Sequence, residues 1–200
     1  MKIEYKDIIL RDMCEADIED HIRWNTVETD WAHWDAPWES EPDLLTFNPE
    51  EFRKDMLKKL AEPKDEPRWK FEIETAEGIH IGAVSSYMIN DDFCWIPLSS
   101  VKPGEKVFRA VGLDICESSF CGQGLGTKAL AAFINYYFEN GVDEIYCQTW
   151  SGNIRMIKCA EKLGFKVCRR KIDYREVRGE KFDGLTFVLD KEKFNNFFNK

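Results

Sequence analysis

Hydrophobic residues along this chain change their period twice, and the changes mark its elements. Residues 7–11 (Asp7-Ile8-Ile9-Leu10-Arg11) are a short apolar run that predicts a strand, and a helix is expected from about Glu15 to Asn25. Residues 26–48 read as a loop crowded with Trp31, Trp34, Trp38, prolines and acids. Asn48-Pro49-Glu50-Glu51 is a helix start, with an amide N-cap, proline at the first position and acids in the first turn. That helix is expected to reach about Leu60. Past the polar breaker Glu62–Pro67, Trp69, Phe71 and Ile73 alternate with Lys70, Glu72 and Glu74, which is the period of a half-buried strand. Glu77-Gly78 then turns the chain into an antiparallel partner over 79–88. Residues 90–105 read as a loop and 106–116 as the next strand.

From there the pattern becomes strand, glycine-rich turn, helix, strand, helix. Leu125, Leu130, Phe133, Ile134, Tyr137 and Phe138 stand at helical spacing, and Asn140-Gly141 ends the run. Residues 144–150 predict a buried strand, and Ser151-Gly152-Asn153 caps a helix carrying Ile154, Ile157, Ala160 and Leu163. Strands at 165–172 and 185–189 close the pattern. The expected fold is mixed α/β, a largely antiparallel sheet flanked by helices, in a single domain over residues 1–200.

Composition narrows the function classes. No apolar stretch approaches the ~20 residues of a membrane span. The first residues are charged where a secretory leader would be apolar, so a cytoplasmic protein is expected. Seven cysteines with no Cys-x-x-Cys pair suggest neither a disulfide framework nor a zinc knuckle, and His21, His33 and His80 share no ligand spacing, so no metal is assigned. The net charge of −9 is unevenly spread: residues 1–100 carry −13 and residues 101–200 carry +4. Residues 11–50 alone hold 12 acids against 2 bases. Such a surface repels nucleic acid and anionic membrane and attracts cations.

Candidate chemistry lies at Cys121-Gly122-Gln123-Gly124-Leu125-Gly126-Thr127, where a strand runs through glycines into a helix. Unpaired N–H groups of the first helical turn, with the positive end of the helix dipole, suit a phosphate or pyrophosphate. The spacing is not that of a dinucleotide fingerprint, and no Gly-Lys-Ser/Thr makes it a P-loop.

With the second motif, Trp150-Ser151-Gly152-Asn153-Ile154-Arg155-Met156-Ile157 through Glu161-Lys162-Leu163-Gly164-Phe165, residues 107–189 resemble the GNAT superfamily of acetyl-CoA-dependent N-acetyltransferases. The branch it looks most like holds ribosomal-protein N-terminal, spermidine and aminoglycoside acetyltransferases. The resemblance implies a GNAT-like fold, with residues 1–105 as the acceptor-side half and 106–190 as the acetyl-CoA-binding half. It implies acetyl-CoA held by the backbone of Ile115 and Cys116 where two parallel strands splay, and its pyrophosphate on Gly122, Gln123, Gly124, Leu125, Gly126 and Thr127. Asn153 would meet the pantetheine arm and Arg155 the phosphates, with Lys158 and Lys162 better read as solvated. Two positions depart from the family pattern: Cys121 stands where the loop usually begins with Gln or Arg, and Ala160 where many members carry a general-acid Tyr.

An alkyl ammonium must lose a proton before it attacks a thioester. Asp114, in a Gly-x-Asp context like that of aminoglycoside acetyltransferases, is the first candidate base and Glu117 the second; a structural carboxylate is the competing reading of Asp114. A backbone N–H of Ile115 or Cys116 would stabilise the oxyanion. Asp30, Trp31, Trp34 and Asp35, with Trp150, form an acidic and aromatic set suited to a cationic acceptor by charge pairing and cation–π contact. The expected function is direct acetyl transfer from acetyl-CoA to a primary amine of a polyamine or aminoglycoside-like molecule. Alternatives are a protein N-terminus as acceptor, a degenerate acyl-CoA sensor, and a nucleophilic Cys116 or Cys121. A homodimer is expected by analogy.

Overall fold

The computed structural model describes residues 1–199. Its strands are β1 (Lys2–Tyr5), β2 (Ile8–Arg11), β3 (Lys70–Thr75), β4 (His80–Asn90), β5 (Trp95–Ile96), β6 (Val107–Ile115), β7 (Ile145–Trp150), β8 (Phe165–Val177) and β9 (Glu180–Leu189). They join in one sheet in the order β1-β2-β3-β4-β6-β7-β9-β8, with β5 on the end of β4. The β6/β7 pair is parallel and the others are antiparallel. Among the described residues six α-helices flank it: α1 (Asp17–Thr26), α2 (Pro37–Thr46), α3 (Pro49–Ala61), α4 (Leu125–Glu139), α5 (Ile154–Leu163) and α6 (Lys191–Phe198).

The alternation in β3 decides which face is which. Phe71 and Ile73, with Ile8, Leu10, Ile81, Val84 and Val111, form the buried face on which α4 lays Leu130, Phe133, Ile134 and Tyr137. Burial of a Phe side chain contributes roughly 1.5–3 kcal/mol, so this face anchors the domain and fixes the start of α4 relative to β6. Glu72, between Phe71 and Ile73, points to the opposite face, where it meets His21 of α1 and His80 at 3.1 Å each. The fold class and the helices at α1, α3, α4 and α5 follow the periods read above.

Several elements differ from that reading. Residues 37–46 are not loop: Pro37 opens α2 and Pro42 lies within it. Proline in a helix interior removes a hydrogen bond and costs about 3 kcal/mol, which is why the sequence reads against a helix there. The short edge strand β1 alternates Lys2 and Glu4 with Ile3 and Tyr5, a four-residue pattern not read as a strand from the sequence. β8 and β9 run on to a tight turn at Arg178-Gly179, beyond the expected 165–172 and 185–189. The last helix, α6, is capped by Asp190, whose side chain accepts from the Lys193 N–H, and it buries Phe194.

One irregularity in the sheet positions the site. β6 and β7 pair only at Arg109–Ile145 and Ala110–Tyr146; beyond these, Gly112–Ile115 and Gln148–Trp150 diverge. A gap opens in the middle of the sheet, facing the start of α4.

Candidate active site

The gap leaves backbone groups without strand partners. The Cys116 N–H donates to the Ile81 carbonyl at 2.9 Å, so Ile81 and Cys116 are a hydrogen-bonded pair. In an antiparallel ladder such pairs alternate, so Ile115, opposite Gly82, turns its N–H away from β4 and toward the gap. This narrows the sequence expectation: the Cys116 N–H is already engaged, and of the two it is the Ile115 N–H that faces the gap.

At the mouth of the gap, Gly124 takes φ +81° as the N-cap of α4, following Gly122 at φ +76°. No side chain caps the helix, so the N–H groups of its first turn are open to a ligand. A cavity of about 450 Å³ begins here and follows the gap. It is lined by Gly122, Gly124, Leu125, Gly126 and Thr127, by Ile115 and Asp114, and by Arg155, Lys158 and Lys162 from α5. Lys158 and Lys162, read as solvated, thus belong to its wall. An uncapped helix start among three cations suits the diphosphate of a coenzyme A donor. Cys121 lies in the same wall, while Gln123 is exposed beside the loop with its side chain donating to the Ser119 carbonyl.

The segment between α1 and α2 crosses over this cavity. The Asn153 side chain accepts from the Met156 N–H, capping α5, and donates to the Trp34 carbonyl at 2.5 Å. Trp150 Nε1 donates to the Asp35 carbonyl at 2.7 Å, and the Arg155 guanidinium lies 4.1 Å from the Trp34 ring centre. Trp31, Trp34 and Asp35 line this first cavity, whereas Asp30 is exposed and lines neither cavity. Asn153, expected at the pantetheine arm, has both ends of its amide engaged in holding the helix start and this crossing segment.

A second cavity of about 530 Å³ lies on the other side of the gap and shares Asp35, Gln148 and Thr149 with the first. Its wall includes Trp38, Tyr87, Phe93, Trp95, Trp150 and Tyr174. Lys171, Tyr174 and Arg175 of β8 and Gly184, Leu185 and Thr186 of β9 make up about a third of its lining, so residues from both halves of the chain meet in it. Gln148 was missed by the sequence reading. Its Nε2 donates to the Phe93 carbonyl and to Thr186 Oγ1, which fixes the partition between the cavities. A polar pair, Gln148-Thr149, at the end of an otherwise apolar strand was the signal available.

Asp114 lies in the wall of the first cavity, which Asp35, Gln148 and Thr149 also line. Burial, and then the neighbouring Asp35 charge, push its carboxyl up to about 8 against an opposing effect of Lys70. Glu117 is different: it lines neither cavity and accepts from Arg23 and from Trp24 Nε1. Burial favours its neutral form, but the hydrogen bonds from Arg23 and Trp24 outweigh it and hold the carboxyl below its ordinary range. The second-choice base is therefore an ion-pair partner that ties α1 to the end of β6. The Cys116 and Cys121 thiols are both pushed up, chiefly by burial, so neither is the thiolate a nucleophilic role needs. Ala160, at the family's Tyr position, is fully buried.

The fold recurs in known proteins. The sequence model described as "Acetyltransferase (GNAT) domain" matches residues 7–166. The chain belongs to this family. It is an N-acetyltransferase by family, although no curated protein matches it in sequence. Among solved structures, a GNAT-family acetyltransferase from Bacillus anthracis superposes with a TM-score of 0.67 at 15% identity, covering 96% of this chain and 99% of that one. RimL, a ribosomal L7/L12 alpha-N-protein acetyltransferase in complex with coenzyme A, gives 0.66 at 16%, covering 94% and 97%. A chimera of the spermidine N-acetyltransferase SpeG from Vibrio cholerae and hSSAT gives 0.64 at 15%, covering 96% and 99%. At such identities the likeness shows the fold. Among the described residues, no helix of this acetyltransferase is long and apolar enough to cross a membrane.

Proposed function

We propose that this acetyltransferase moves acetyl from acetyl-CoA to a primary amine by direct transfer, with the donor in the first cavity and the amine entering from the second. The observation that carries it is Asp114, a carboxyl raised to about 8 in the wall of the first cavity, which shares Asp35, Gln148 and Thr149 with the second. An alkyl ammonium near pKa ~10.4 faces a deficit of about 2.4 units, or about 3.3 kcal/mol, in giving its proton to such a carboxylate, against about 8.8 kcal/mol for an ordinary aspartate. Raising the carboxyl brings the transfer within reach of catalysis. The free amine then attacks the thioester carbonyl, the C–N bond forms, the Ile115 N–H supports the oxyanion, and the C–S bond breaks.

Of the two protons the nitrogen loses, one is taken by Asp114 and one passes to solvent. A thiol has pKa ~8.5, so Asp114 near 8 returns its proton to the departing sulfur at almost no cost. No separate tyrosine is then required, which accounts for a catalyst with Ala160. Gly122 to Thr127 would hold the diphosphate, assisted by Arg155, Lys158 and Lys162.

The test is thermal unfolding with and without acetyl-CoA, followed by thiol release against amines of several classes. Ligand at ~100 times its dissociation constant adds ~2.7 kcal/mol and is expected to raise the midpoint by several degrees. A shift with amine-dependent thiol release supports the proposal. A shift without release from any amine supports the sensor alternative, and no shift removes the donor assignment.

A further inference from the structure

The β8–β9 hairpin departs from regular pairing where it borders the second cavity. Lys171 pairs with Gly184 and Arg175 with Phe182, so three residues of β8, Ile172, Asp173 and Tyr174, stand against the single residue Asp183. The bulge is built, not accidental. Asp183 accepts from Arg170 Nε at 2.5 Å and from the Asp173 N–H at 3.0 Å, and Asp173 takes φ +50°. A side chain at Gly184 would bring its Cβ within 2.8 Å of the Tyr174 ring, so only glycine leaves room for that ring. The result is that Lys171, Tyr174 and Arg175 all line the cavity.

Most cations of this hairpin outside the cavity meet a carboxylate: Lys166, Arg170, Arg178 and Lys181 pair with Asp190, Asp183, Glu41 and Asp173, while the exposed Arg169 lies 5.7 Å from the Phe93 ring centre. Lys171 and Arg175, inside it, have no carboxylate partner among the described residues. Their neighbours are rings: Arg175 lies 4.2 Å from the Tyr174 ring centre and 5.2 Å from that of Trp38, and Lys171 lies 5.0 Å from that of Tyr174. The Arg175 Nε is shut from solvent with no hydrogen-bond partner. The cavity's own acids do not serve them, since Asp35 accepts from Ser40 Oγ and Glu39 from Trp38 Nε1.

We infer that the acceptor of this enzyme is an amine that also carries a carboxylate, with its ammonium at the Asp35 and Asp114 end and its carboxylate on Arg175 and Lys171. This rests on the reading of the second cavity as the acceptor site. It departs from the polycation expected from the acidic loop, because a polyamine would set like charges against two unpaired cations in an aromatic enclosure. Guanidinium and carboxylate match in a bidentate fork, and stacking on Trp38 and Tyr174 holds that fork ready.

The experiment compares acceptors that differ only in the anion, using phenylalanine against 2-phenylethylamine, and short peptides with free against amidated C-termini, with spermidine alongside. Thiol release is measured, and acceptor binding to the enzyme–coenzyme A complex is titrated separately by calorimetry. The expected result is a kcat/KM advantage of about tenfold to a hundredfold for one or both of the carboxylate-bearing series, carried in KM. Arg175→Gln and Lys171→Gln each shrink that ratio toward one, and Arg175→Lys restores part of it. An unaltered coenzyme-induced rise in melting temperature confirms that each variant folds. Equal or better turnover of the carboxylate-free partner in both series, spermidine outpacing both, or a ratio indifferent to both glutamine variants, overturns the inference while leaving acetyl transfer standing. Absence of thiol release from every amine overturns acetyl transfer, and the titration then decides the anion subsite, since carboxylate-dependent binding lost in Arg175→Gln supports it and its absence removes it.

Discussion

Asp114 shows how one environment sets both chemistry and stability. Its side chain shares a sheet face with Glu72 across Ala83, and burial beside Asp35 raises its carboxyl to about 8. At pH 7 about nine-tenths of such a group is protonated, so the basic form grows as pH rises. The kcat/KM of the enzyme is therefore expected to climb with unit slope up to about pH 8. Asp114→Asn should lower kcat by about 10²–10⁴-fold and abolish that limb while preserving the thermal shift with acetyl-CoA. A retained limb would assign the titration to another group. The stability sign follows separately. Folding raises this carboxyl from 3.8, so the folded state binds the extra proton and loses stability as pH rises from about 4 to about 8. Asp114→Asn should thus raise the melting temperature at pH 8 by several degrees and change it little at pH 4. Equal shifts at both values would mean that Asp114 titrates normally.

At the scale of elements, the site depends on a helix start and on a segment tied across it. Asn153 caps α5 through Met156 and holds the Trp34 carbonyl with the same amide. Asn153→Ala should cost about 1 kcal/mol for the cap, or about 2–4 °C in a chain of this length. Amide hydrogen exchange over residues 31–36 should accelerate as well, and exchange confined to α5 would show that the crossing segment is held elsewhere. The sequence announced the local part of this arrangement: Asn153 precedes an apolar helical run, and Gly124 precedes another. It did not announce the tie to Trp34, because that contact joins residues 119 apart in the chain. The same distinction explains α2, where Pro42 speaks locally against a helix that tertiary packing supports. It explains the second cavity too. The sequence ends this strand at residue 172, and the bulge at 172–174 depends on Asp183 across the hairpin and on the missing side chain of Gly184.

For the whole molecule, the acidity of the N-terminal half is partly internal. Asp17, Asp20 and Glu72 surround His80, whose Nδ1 lies 3.0 Å from Asp20 and 3.4 Å from Asp17 and whose Nε2 lies 3.1 Å from Glu72. Both ring nitrogens face carboxylates and both therefore act as donors, which is the imidazolium form. His21 and Trp24 pack on the same ring, Arg11 pairs with Asp17, and Lys70 lies 3.1 Å from Glu72. Burial alone would depress the His80 imidazole, but the hydrogen bond and charge of Glu72, with Asp17 and Asp20, raise it above 6.5. Its contribution to stability is complete below pH 6.5 and is lost as pH rises through the raised value. Asp17 and Glu72 run the other way: burial opposes their charge, but Arg11 holds Asp17 and the two histidines hold Glu72 below the ordinary range, so stability is lost as pH falls through their lowered values. With the loss at Asp114 that begins at about pH 4, the melting temperature should be highest at about pH 4–5 and decline on both sides, more steeply once His80 also titrates. His80→Gln isolates the His80 share of the alkaline arm: it should lower the melting temperature most at pH 6, with the gap to wild type narrowing by pH 9. A gap that stays constant from pH 6 to 9 would mean that the ring is neutral throughout and that the carboxylates around it are balanced by Arg11, Arg23 and Lys70 alone.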